Sequence, residues 1–522
     1  MVKVLDTSSG FSQWNANRQA SGRKKPLSGF FWWFVIFLAS WWLIGSMSDN
    51  KTSNVPATDT PVFADASMVP ASTISSDAMT ATVRGLRISN VVLNGYAADI
   101  EASDTVALLN GDSDFIEVGL LTTGTTAPVA TTVWNGDNGE YKWRNTDGVE
   151  FMRTVTLDGY LVRISDTVKN TTKNTISVTP YARTVRSGAS DTTSGIVTGG
   201  LVSSNGDVSE IAWSKMDKRS HAYSTTRGFA GFSDRYWQTV VSLNSPDQTI
   251  TFKNVGDLYT ADTVSSSIMV AAGEAATIDA VVFAGPRDQS VLNAYDSVIS
   301  GLGETIDYGW FWFLARPMLW VLNGIHHIVM NYGVAIIIMT ILLRLMMWPL
   351  TRKSYTSMAA MQRMQPELQR IQKLYANDKA RLQLEMLKLY QTHKTSPMSG
   401  CLPMLIQIPI FFALYKALLV SVQMRHAHFL WISDLSAMDP YFILPIMMGA
   451  TMWLQQRLQS AARGKASTNT DDMTARTQRM MMWMPVLFTI MFAWMPAGLV
   501  LYWTVSNIFG IIQMQIIRRQ TN

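Results

Sequence analysis

The 522-residue sequence predicts a polytopic α-helical membrane protein with six spans, an extracytoplasmic all-β sandwich domain and a cytoplasmic helical hairpin. Three observations carry that class. Apolar blocks rich in Met, Trp, Phe, Leu and Ile occupy the two ends, whereas residues 50–300 are rich in Ser, Thr, Asp, Gly and Val. The middle breaks into short strand-like runs separated by Gly, Asn and Asp turns. Basic residues gather beside the apolar blocks, as the positive-inside rule expects. The net charge of +5 is therefore read as topology, and no direct nucleic-acid function is expected. A single cysteine, Cys401, excludes an intrachain disulfide, so the outside domain must fold by its core alone.

Residues 1–25 read as a cytoplasmic segment ending in Arg18, Arg23, Lys24 and Lys25. The uncharged run 26–48, with GFFWWFVIFLASWWLIG, is long, bulky and followed by no A-x-A site, which favours an uncleaved anchor over a cleaved signal peptide. Residues 49–81, Ser/Thr-rich with interspersed Pro, read as a linker. The runs VRGLRISNVVL, YLVRISDTV and ATIDAVVFAG place the β-sandwich over 82–288. Region 289–331 contains YGWFWFLARPMLWVLNGIHHIVM, interrupted by Arg316, Pro317 and Asn323, and fits an amphipathic helix lying in the membrane interface.

Five further spans are expected at 332–351, 400–422, 440–456, 481–496 and 498–517. Between them lie a hairpin (352–399), an outside loop (423–439) and a cytoplasmic loop (457–480), with a short tail at 518–522. Segment 352–399 has nine Lys/Arg against three Asp/Glu, and 457–480 has five Lys/Arg against two Asp. Both fall on the side that alternation assigns to the cytoplasm, as do Arg518 and Arg519.

In the hairpin, Met361, Met364, Leu368, Ile371 and Leu374 recur at helical spacing. YAND interrupts them, and Leu382, Met386, Leu389 and Tyr390 resume, with Asn377 or Asp378 as N-cap. Met361, Met364, Arg370, Lys373, Lys379 and Arg381 are its candidate contact residues. The hairpin is either a solvated element or a docking site for a ribosome, a targeting factor or a nascent chain.

The five C-terminal spans contain no Asp or Glu, which argues against a proton-coupled carrier and an aspartyl intramembrane protease. No His lies inside a confident span, and His426 and His428 in the outside loop have no evident third ligand. No enzyme chemistry, metal or cofactor is expected. The informative feature is TILLRLMMWPLT, in which Arg344 is the only charge between Tyr332 and Leu350. A charge at the centre of a span costs about 2.5–3.5 kcal/mol on insertion scales.

Arg344 lies about 9 Å from the cytoplasmic end of its helix, with Thr340 one turn away. Gln407 and Gln513 share nearly the same depth on two other spans, and Ser506 and Asn507 sit nearer mid-membrane. Two readings follow. Either these polar groups make ordinary interhelical hydrogen bonds while Arg344 snorkels, or they line a wet cavity that holds a fixed positive charge. Lys416, six residues from the outer end of its span, is expected to snorkel outward. The 31 methionines suit either core filling or a surface that accepts many apolar partners.

Four stretches occur in order between about 330 and 520: TILLRLMMWPLTRKSYTSMAAM, SGCLPMLIQIPIFFALY, DLSAMDPYFILPIMMG and MPAGLVLYWTVSN. Together they resemble the YidC-type membrane protein insertases of Gram-negative bacteria. The resemblance implies a five-helix insertase core whose hydrophilic groove opens to the cytoplasm and lipid and is closed outside. Arg344 and Thr340 match the groove's arginine and threonine. Phe411, Met448, Phe492 and Trp503 match a substrate exit path, with Trp503 standing where many relatives have Tyr. The implied partners are nascent inner-membrane proteins, the Sec translocon and its accessory subunits, the ribosome and signal recognition machinery, and membrane lipids. The implied location is the inner membrane, with both termini cytoplasmic and the large domain periplasmic. Two other classes remain open: a transporter with Arg344 as an anion site, and a non-translocating Sec accessory acting through its β domain.

Overall fold

In the computed structural model, the described residues are 65–100, 104–111, 113–188, 198–376, 378–393, 402–461 and 472–521. The expected N-terminal segment, the anchor over 26–48 and Cys401 lie outside them.

Strands form where β-branched and apolar residues alternate with polar ones. Met79–Arg84 (MTATVR) buries Met79, Ala81 and Val83 and leaves the residues between them half-buried. The strands build two antiparallel sheets. The first runs Ser72–Ser75, Met79–Arg84, Arg87–Ala97, Phe115–Thr123, Ile176–Arg186, Leu258–Val264, Gln248–Val255 and His221–Thr225. The second has Asp207–Ala212 and Gly199–Ser204 at one edge. Trp237–Leu243, Ala275–Pro286, Leu161–Lys169 and Glu150–Asp158 lie consecutively within it. Val83, Ile88 and Ile116 of the first sheet share a core with Val155, Ile164 and Val282 of the second.

The sheet begins ten residues before the expected boundary. Ser72–Ser75 pairs with Met79–Arg84, from Ser72 opposite Val83 to Ser75 opposite Thr80. The linker expected over 49–81 therefore stops short of Ser72. Ser and Thr drew that stretch toward a loop reading, but its alternating Ile, Met, Ala and Val fit a pleated, half-buried surface.

The last strand leads into α1 (Gln289–Tyr295), capped by Asp288, whose carboxylate accepts from Ser290 N at 2.8 Å and Val291 N at 3.2 Å. Helix α2 (Trp312–Val329) is amphipathic as expected. It buries Ala315, Met318, Leu319 and Leu322 and exposes Trp312, Phe313, Trp320 and Ile328. Then follow α3 (Tyr332–Met346), α4 (Trp348–Arg363), α5 (Gln365–Leu374), α6 (Lys379–Thr392), α7 (Leu402–Val420), α8 (Ile443–Ala461), α9 (Asp472–Phe492) and α10 (Ala497–Thr521).

Among the described residues, by length and composition, α10 alone is apolar enough to cross a membrane, over Ala497–Gln520. Helices α3 and α4 pass the same test only as a pair, bent by 57°. The stretch 332–351 is thus not one straight helix. Pro349 has no N–H to return to Leu345, and its ring crowds that carbonyl, so the helix breaks at Met347. Residues Leu405–Val420 of α7 and Met482–Phe492 of α9 are shorter apolar helices. Helices α5 and α6 are joined by a short turn, and the α6 cap is Asp378, which accepts from Arg381 N at 3.0 Å.

Ile336, Met339, Leu414, Leu418, Met448, Phe492 and Leu499 pack into one buried cluster. That cluster continues through Leu292, Ile299 and Leu319 to Leu161, Phe229 and Phe283 of the β domain.

Candidate intramembrane site

Arg344 occupies the last turn of α3, facing α10. Its Nε donates to Ser506 Oγ at 2.8 Å, and a terminal guanidinium nitrogen donates to the same oxygen. Gln513, two turns beyond Ser506 on α10, donates from Nε2 to the Arg344 backbone carbonyl at 3.2 Å. One turn before Ser506, the Tyr502 hydroxyl receives a hydrogen bond from Gln407 of α7 and is also bonded to Ser506. Arg344, Ser506, Gln513 and Gln407 are thereby joined in one network. Tyr502 is its hinge and was missed in the sequence. Its position four residues before Ser506 was the available signal.

Two expected members point elsewhere. The buried Thr340 hydroxyl donates to its own helix, at Ile336 O, 2.6 Å away. Asn507 ties α10 to α8, donating to Thr451 Oγ1 at 3.3 Å and to the Met448 carbonyl at 3.5 Å. Arg344 itself is half-buried, and Tyr502 and Tyr355 are the titratable groups near it. Among the described residues it forms no ion pair, and Ser506 Oγ is the one oxygen accepting from its guanidinium. A guanidinium carries five N–H donors in a planar fork suited to carboxylates.

The residues matched to an exit path come together. Phe411 of α7, Phe492 of α9 and Trp503 of α10 form a triangle of rings with centroids 5.0–5.9 Å apart. Phe488 stands 6.2 Å from Trp503 and extends the wall. Met448 is fully buried in the cluster that also holds Phe492.

On the hairpin, Arg370, Lys373 and Arg381 are exposed, and Arg381 lies 5.7 Å over the Tyr375 ring. Met361 is half-buried. Met364 is only 3% exposed, so it packs the junction of α4 and α5 rather than offering an open contact. The Lys379 side chain lies outside the described residues.

A helical bundle that sets an arginine among hydroxyls and amides, with no ion pair to it among the described residues, beside a two-sheet β domain, fits a membrane protein with a polar site among its helices. The comparisons with known proteins make this particular. Residues 72–321 match the family described as the YidC periplasmic domain, and residues 324–522 match the 60Kd inner membrane protein family. The membrane protein insertase YidC of Magnetococcus marinus is 37% identical over 415 residues, covering 76% of this chain and 72% of that protein. The protein of that name from Rhizobium meliloti is 33% identical over 485 residues, covering 84% and 80%. A solved active YidC insertase is 21% identical, covering 86% of this chain and 94% of that one, with a TM-score of 0.36. The chain belongs to the YidC membrane protein insertase family, and it is an inner-membrane protein with a periplasmic domain.

Proposed function

We propose that this protein is an ATP-independent membrane protein insertase and folding helper for nascent inner-membrane proteins. The observation that carries this reading is Arg344, a charge in an apolar helix whose guanidinium has, among the described residues, one serine hydroxyl as acceptor and no carboxylate. The donors left over are suited to an acidic client tail. A short polar tail enters from the cytoplasm, exchanges water for Arg344, Ser506, Tyr502 and Gln407, and so crosses a shorter apolar distance at a lower desolvation cost. The client's apolar segment then moves along Phe411, Phe492 and Trp503 into lipid, and its burial supplies the driving force. None of these steps makes or breaks a covalent bond, so the protein is not read as an enzyme and needs no cofactor.

In this reading the chain spans the inner membrane six times, with the bent α3–α4 pair forming the second span and its continuation. Both termini and the α5–α6 hairpin are cytoplasmic, the β domain is periplasmic, and α2 lies in the interface. Arg370, Lys373 and Arg381 offer a basic face to the ribosome or signal recognition machinery and to anionic lipid headgroups. The Sec translocon and its accessory subunits are the proposed partners for larger clients.

Photocrosslinkers placed beside Arg344 are expected to capture a membrane protein during its synthesis. An absence of crosslinks, with normal client insertion after depletion of this protein, would refute the proposal. Arg344→Ala is expected to impair acidic-tailed clients by about tenfold, the scale of one charge-assisted hydrogen bond, while Arg344→Lys retains part of the activity.

A further inference from the structure

The bend between α3 and α4 has a consequence for Arg344. Met347 belongs to neither helix, so the Trp348 N–H does not close a helical turn onto the Arg344 carbonyl. That carbonyl is one of the last four of α3, which have no partner within their own helix. Gln513 Nε2 takes the vacant place, donating to it from α10 at 3.2 Å. The same helix therefore holds Arg344 at two points, with Ser506 on the guanidinium and Gln513 on the backbone.

Stability alone does not account for Gln513. The side chain is fully buried, yet its Oε1 has no partner among the described residues. A half-satisfied buried amide costs free energy that an apolar residue of similar shape avoids. The one bond it makes is to the residue that carries the charge.

We infer that Gln513 is a positioning residue: by fixing the Arg344 carbonyl at the bend, it sets the direction in which the guanidinium leaves the helix toward the client. The inference rests on the reading of Arg344 as the client contact, and it assigns Gln513 no client contact of its own. Gln513→Leu keeps the volume and removes the donor, whereas Arg344→Ala removes the group being positioned.

The test reconstitutes the full-length protein and measures insertion of two clients that differ only in an acidic or a neutral tail. Gln513→Leu is expected to lower acidic-tail insertion about fivefold, the factor that one neutral hydrogen bond is worth. Neutral-tail insertion stays unchanged, and in an Arg344→Ala background the second substitution has no further effect on acidic-tail insertion. Equal losses for both tails, or additive losses in the double variant, would assign Gln513 to packing and overturn the inference. If Arg344→Ala impairs acidic tails and Gln513→Leu does not, the positioning role alone fails. If Arg344→Ala itself spares acidic tails, the reading of Arg344 fails and the inference falls with it.

Discussion

Arg344 is half-buried and Arg153 fully buried, and their partners give them different roles. Arg153 is paired with Asp166 through two contacts of 2.7 Å and also donates to the Gly85 and Val118 carbonyls of the opposite sheet. Four of its five donors are spent on the carboxylate and on joining two sheets. Asp166→Ala would strand that guanidinium inside the sandwich, and breaking a buried pair in this way costs about 3–5 kcal/mol. Thermal unfolding of the variant should show a clear fall in melting temperature, and an unchanged value would refute the structural role. Arg344→Ala should leave melting nearly unaltered, because no carboxylate among the described residues loses its partner. That Arg344, Gln407 and Gln513 meet in one network was foreshadowed by their matched positions along their helices, because helical rise converts residue counts into distances. The inward turn of the Thr340 hydroxyl onto Ile336 was not, since a side-chain rotamer leaves no trace in spacing. Tyr502 escaped notice for a related reason: in the pair YW, a tyrosine reads as one more aromatic until its hydroxyl is seen between Gln407 and Ser506.

Among the elements, those with a strong period or a punctuating residue were readable in advance. The amphipathic α2 and the turn between α5 and α6 both follow from apolar spacing. Asp378 was one of two candidates for the cap, and the structure selects it through its bond to Arg381 N. Asp378→Ala should weaken the start of α6 by about 1 kcal/mol, the usual worth of an N-cap. Hydrogen exchange would report this as faster exchange confined to the first turn of α6, while a uniform change across α5 and α6 would argue against a local cap. The break at Met347 was harder to foresee. Pro349 stands one residue inside α4, where a first-turn proline is tolerated, so the apolar run alone does not reveal that the axis turns by 57°. The strands Ser72–Ser75 and Met79–Arg84 were hidden by composition, because Ser and Thr serve loops and exposed sheet faces equally well.

The attachment of the β domain to the helices is a property of the whole molecule, made by residues too far apart in sequence to form any local pattern. Arg235 donates to the Leu419 and Ser436 carbonyls at 3.1 and 3.3 Å, and Tyr236 donates to Ser436 Oγ at 3.0 Å. Arg425 reaches back to the Ala97 carbonyl at 2.6 Å. Lys416, expected to snorkel outward, pairs with Asp307 at 3.0 Å, on the segment between α1 and α2. Burial pushes the Asp307 carboxyl up, but the Lys416 charge and hydrogen bond, together with the Gly309 N–H, outweigh it and hold the carboxyl below its ordinary value of 3.8. A depressed folded value stabilises the junction above the unfolded value, and this contribution is lost as pH falls through the folded value. Glu210, whose carboxyl burial raises despite Arg287, lies in the same cluster and is present in both the wild type and an Asp307→Asn variant. The melting temperature of the wild type should therefore exceed that of Asp307→Asn near neutral pH. The gap should close as the pH falls below the ordinary carboxyl value and through the depressed folded value, where Asp307 itself becomes neutral. A gap that stays constant or widens on acidification would mean that the Lys416 pair does not hold the β domain to the helices.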